Sequence, residues 1–116
     1  MSTTIDYDAS RQALRDERLK LVHRLEELGA TEDGQLRHDR EFADSFADAG
    51  AATAERTEVL GMVETIRQQL DEVDAALGRL EAGTYGVCES CGETISPARL
   101  EARPASRYCV ACKSRR

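Results

Sequence analysis

A chain of 116 residues allows one domain, or one long element with a small module attached. Only 4% of its residues are aromatic and none is Trp, while 33% are charged, which excludes a large globular core and suits long exposed helices. The formal net charge of −6 argues against nonspecific binding to nucleic acid, and no apolar run is long enough to span a bilayer.

The first predicted element is a helix from about Tyr7 to Leu28. Leu14, Leu21, Leu25 and Leu28 follow a heptad seam, Arg18 occupies its missing position, and Tyr7 extends it backwards. Leu19 and Val22 widen the stripe on one flank, and Gly29 offers a left-handed C-terminal cap. The segment from Ala30 to Ala52 lacks a long apolar period and is interrupted by Gly34 and Gly50, with a short helical turn expected over Gln35 to Ala43. It is acidic, with Glu32, Asp33, Asp39, Glu41, Asp44 and Asp48 against Arg37 and Arg40. Phe42 and Phe46 are read as capping the seam there, with Asp44 and Asp48 solubilising the tip or capping the next helix.

A second helix is predicted from about Thr53 to Ala82, ended by Gly83. Val59, Val63, Ile66, Leu70, Val73, Leu77 and Leu80 form its seam without a break. Two such stripes separated by a turn region predict a mainly α fold, a long antiparallel helical hairpin (coiled coil) over residues 1–82 with its tip at about 30–52. Periodicity alone leaves a parallel homodimeric coiled coil open; a monomer is the expectation. His23 and His38 have no cysteine or paired acid at catalytic spacing, so no enzyme is expected.

Residues 83–116 read as a separate small module. Its four cysteines, Cys88, Cys91, Cys109 and Cys112, form two C-x-x-C pairs with seventeen residues between them, a spacing that reads as a zinc site. Four thiolates complete a tetrahedron and leave no open position, so the expected Zn²⁺ is structural. Disulfides belong to oxidising compartments, and the start Met-Ser-Thr-Thr-Ile-Asp has no apolar signal segment, which leads us to expect a cytoplasmic location. A redox C-x-x-C would need a βαβ context, which the pattern lacks. Arg99, Arg103, Arg107, Lys113, Arg115 and Arg116 give the module a basic character and a candidate contact surface. They also keep a second reading open, in which the zinc module binds nucleic acid or the hairpin serves as a protein adaptor.

The run Tyr85-Gly86-x-Cys88-x-x-Cys91-Gly92, then Ile95, Arg99-Leu100-x-Ala102-x-Pro104 and Cys109-x-x-Cys112-Lys113, resembles the DksA/TraR family of bacterial transcription regulators over about the last 32 residues. The resemblance implies a coiled coil carrying a zinc module, a protein that binds RNA polymerase rather than DNA, and a tip that enters the polymerase secondary channel to modulate initiation. Several family members act with the alarmone ppGpp, which adds it as a candidate effector. The family's tip pattern Asp-x-x-Asp-x-Ala places its second Asp at Asp48; Ser45 stands where the first is expected, with Asp44 one residue earlier and Gly50 in place of the Ala. Asp44, Ser45 and Asp48 are thus the candidate tip residues.

Overall fold

A computed structural model of the chain describes residues 4–36 and 49–114, the first five residues of the second stretch as backbone only. Four helices follow one another: α1 (Tyr7–Glu27), α2 (Ala49–Ala82), α3 (Pro97–Ala102) and α4 (Val110–Ser114). No strand occurs among the described residues, only isolated antiparallel bridges at Ala30–Leu36 and Val87–Thr94. The chain packs as two compact units. One is the continuous stretch Leu19–Asp71; the other joins Met1–Arg18 to Glu72–Arg116. The fold is mainly α, a helical hairpin of α1 and α2 with a C-terminal four-cysteine module.

In the continuous unit, Leu21 and Leu25 of α1 are buried, as are Val63, Ile66 and Leu70 of α2. These are seam positions, so burial follows the heptad period. At its end α1 is closed by a Schellman cap. Gly29 takes φ 78°, its N–H donates to Glu26 O at 2.9 Å, and the N–H of Ala30 donates to Leu25 O at 2.8 Å. Ala30 and Leu25 are both fully buried, which supplies the apolar contact that accompanies this cap. A tight turn follows, where Thr31 N–H donates to Gln35 O at 2.8 Å and Arg67 Nη1 donates to Glu32 O at 2.9 Å.

In the other unit, Leu14, Val73, Ala76, Leu80, Tyr85, Ile95 and Leu100 are buried. Arg18 fills its seam position by an ion pair, Nε to Asp74 Oδ1 at 2.7 Å. Tyr7 is half exposed and meets Tyr85 edge-on, with ring centroids 6.2 Å apart. Three details differ from the sequence pattern. Leu19 is 69% exposed and does not widen the stripe. Ala76 is fully buried while Leu77 is only partly so. A straight helix drifts by about 20° per heptad against a strict 3.5-residue period, which turns Ala76 inward towards the end of α2. Finally, α2 begins at Ala49, not Thr53, and runs through Gly50. A glycine costs about 1 kcal/mol in a helix, and Ala49, Ala51, Ala52 and Ala54 around it are the strongest helix formers.

The module's first turn is set by Gly86. Its φ is 85°, and a Cβ placed there would lie 2.5 Å from Ile5 Cδ1. The N-terminal segment therefore packs directly on this glycine. Gly86→Ala is expected to cost about 1–3 kcal/mol through positive-φ strain and overpacking, read as a lower midpoint in urea. An unchanged midpoint would mean that Ile5 yields freely.

Candidate metal centre

The module begins where a second cap ends α2, with Gly83 at φ 79° and Thr84 N–H donating to Arg79 O at 2.9 Å. Tyr85 is buried, and its hydroxyl donates to Pro104 O at 2.7 Å. Gly86 O accepts from Ile95 N–H at 2.8 Å, closing the loop that carries the first cysteine pair. Within that loop, Cys88 N–H donates to Glu93 O at 2.8 Å and Gly92 N–H to Cys88 O at 2.9 Å, with Gly92 at φ 79°. Such a knuckle needs positive φ directly after its second cysteine, which glycine supplies without strain. Between the pairs lies α3, capped by Ser96, whose Oγ accepts from Arg99 N–H at 3.2 Å, and started by Pro97. Its Leu100 is buried. The second pair sits at the start of α4, where Lys113 N–H donates to Cys109 O at 2.9 Å. Glu89 N–H donates to Arg107 O at 2.9 Å and ties the two cysteine segments together.

This framework brings the Sγ atoms of Cys88, Cys91, Cys109 and Cys112 within 4.8 Å of one another. Cys91 Sγ and Cys109 Sγ are 3.8 Å apart. A tetrahedron of Zn–S bonds of about 2.3 Å has an edge of about 3.8 Å, so the cluster has the dimensions of a four-thiolate zinc site. All four thiols are free, and a disulfide would need sulfurs about 2 Å apart. Their proton affinities are pulled in opposite directions. Burial raises the Cys88 thiol, but the backbone N–H groups of Cys109, Cys91 and Ser90 outweigh it and bring it down to about 6. At Cys91 a backbone contact with Glu93 lowers the value, yet desolvation and the three other sulfurs push it up to about 12. Four like charges at this spacing do not ionise together without a cation among them. The donor set is all sulfur, which suits a soft or borderline ion and not Mg²⁺ or Ca²⁺.

The other sequence candidates are placed as follows. Arg99 lies on α3, half-buried, with its buried Nε lacking a hydrogen-bond partner. Arg103 and Lys113 are exposed. Arg107 is engaged, its Nε 2.7 Å from Glu72 Oε2 and its Nη1 3.5 Å from Glu89 Oε2. Arg115 and Arg116 fall outside the described residues, as do Asp44, Ser45, Asp48, Phe42 and Phe46. The ion pairs joining α2 to the module had no signal in the sequence, because their partners lie far apart along the chain and share no period.

Paired helices ending in two cysteine knuckles around one tetrahedral cluster define a C4-type finger protein of the helical-hairpin class. The prokaryotic dksA/traR C4-type zinc finger model matches residues 83–116. The structure of transcription factor DksA2 from Pseudomonas aeruginosa is similar, with TM-score 0.74 and 31% identity over 94% of this chain and 81% of that one. The solution structure of the DnaK suppressor protein from Agrobacterium tumefaciens is similar at TM-score 0.65 and 28% identity, covering 100% of this chain and 98% of that one. The RNA polymerase-binding transcription factor DksA of Caulobacter vibrioides is 36% identical over 80 residues, 69% of this chain but only 56% of that protein's length. The chain belongs to the DksA/TraR family of C4-type zinc-finger proteins.

Proposed function

We propose that this protein is a transcription regulator that binds RNA polymerase, with structural Zn²⁺ held by Cys88, Cys91, Cys109 and Cys112. The observation that carries this reading is the four-sulfur cluster at the end of two paired helices, in a segment that matches the dksA/traR zinc-finger model and in a chain whose fold resembles the DksA2 structure. The metal supplies a fixed crosslink. The protein supplies four sulfur donors, Gly92 in the first knuckle, and the buried Tyr85, Ile95 and Leu100 of the same module. No catalytic role is assigned, because four protein ligands leave no open coordination position.

In this reading the segment between α1 and α2 enters the polymerase secondary channel, and ppGpp is a candidate co-effector. The acidic character of that segment suits a channel that holds Mg²⁺ and basic residues. Direct binding of nucleic acid is less favoured, since the Arg107 charge is already neutralised by Glu72 and Glu89. Co-purification with RNA polymerase from the native host, followed by transcription with and without ppGpp, tests the reading. Absence of polymerase from the complex, or a gel shift with DNA alone at physiological salt, contradicts it. The double substitution Asp44→Asn, Asp48→Asn is expected to keep polymerase binding and remove most of the transcriptional effect. Regulation at the wild-type level by that variant rules out the acidic tip as the acting part.

A further inference from the structure

Four charged side chains connect the C-terminal part of α2 to the cysteine module. Glu89 stands between Cys88 and Cys91, inside the first knuckle. Its carboxylate faces two arginines, Arg79 of α2 (Nη1 to Oε1, 3.9 Å) and Arg107 on the approach to the second cysteine pair (Nη1 to Oε2, 3.5 Å). Arg107 reaches back to α2, its Nε donating to Glu72 Oε2 at 2.7 Å. Arg79, with its side chain only 13% exposed, also donates from Nη2 to Ser106 O at 3.4 Å. Glu72 and Arg79 are seven residues apart on α2 and so share one face.

The arrangement is alternating in sign, and its central carboxylate is carried by the metal-binding loop. From it we infer that these four residues form an ionic latch between the metal site and α2. Glu89 is in place to receive both arginines only while the knuckle is closed. Opening the knuckle leaves Arg79 and Arg107 without it, and Arg79 is poorly hydrated where it lies. Linkage makes the effect mutual. Whatever the latch adds to the closed knuckle appears as metal affinity, so Glu72, which ligates nothing, is a positioning residue for the metal site.

This inference rests on the zinc reading, and the test separates the two. Zinc affinity of the full chain is measured by competition with a chromogenic chelator, with Zn²⁺ alone as the probe. The wild type is expected to take up one equivalent; failure to do so removes the zinc reading itself. Glu72→Gln is expected to weaken zinc about three- to fivefold, the scale of one partly exposed ion pair. Glu81→Gln, an exposed acid elsewhere on α2, serves as the control and is expected to change nothing. The difference between wild type and Glu72→Gln is expected to shrink in 1 M salt, which screens charge but not packing. Adding Glu72→Gln to Arg107→Gln is expected to cost nothing further, because the pair is already lost. Wild-type affinity in Glu72→Gln, a loss matched by Glu81→Gln, or a loss that persists unchanged in high salt overturns the latch while leaving the zinc site standing.

Discussion

Replacing Cys112 by Ser is expected to abolish stable zinc binding and unfold the C-terminal module while most of the helix survives. Cys112 is buried, and among the described residues of the module the buried side chains apart from the cysteines are Tyr85, Ile95 and Leu100. That is too little to fold so short a segment unaided, and zinc binding of about 10–16 kcal/mol in finger peptides is itself folding free energy. The helices divide unequally, with 21 and 34 residues in α1 and α2 against 6 and 5 in α3 and α4. The far-ultraviolet circular dichroism of the variant is therefore expected to retain most of its amplitude, while the zinc content falls from one per chain towards none. A full equivalent of zinc in the purified variant would show that three sulfurs suffice and that the fourth is dispensable.

Leu70→Ala is expected to cost about 2–5 kcal/mol, the range for deleting a buried leucine side chain when its surroundings only partly close the gap. Leu70 has no exposed surface and lies in the α2 seam with Ile66 and Val63, where no polar group offers compensation. Against a typical domain stability of about 5–15 kcal/mol, such a loss shifts the urea midpoint far down. Leu19→Ala is the natural contrast. It removes the same atoms from a side chain that is 69% exposed, and a change of no more than about 0.5 kcal/mol is expected. Equal losses at the two positions would mean that burial along this seam does not govern stability.

The contrast between Leu70 and Leu19 also marks how far the sequence could be read. Heptad spacing identified the buried side of α2 because burial in a helical pair repeats with the helix turn. It overstated Leu19, a flanking position whose burial depends on how wide the partner is, and a single sequence does not encode that width. Ala76 went unnoticed for a related reason: a small side chain gives no hydrophobic signal of its own and becomes core only through rotation of the helix. The cysteine cluster was legible because a tetrahedral metal fixes both number and spacing of its donors. The Ile5–Gly86 contact and the latch from Glu72 to Glu89 were not, since each joins positions remote in sequence by geometry that no local period records.

The division of the chain into a continuous and a discontinuous unit has a consequence for synthesis on the ribosome. The unit Leu19–Asp71 is one continuous stretch of chain and can close once it has emerged. The other unit joins segments remote in sequence, because Ile5 rests on Gly86 while Cys112 completes the sulfur cluster. Its closure waits for a long loop and for the second cysteine pair. Until then the nascent chain carries Cys88 and Cys91 as an open pair of thiols, and a ribosome that stops short of Cys109 releases a protein with half a metal site.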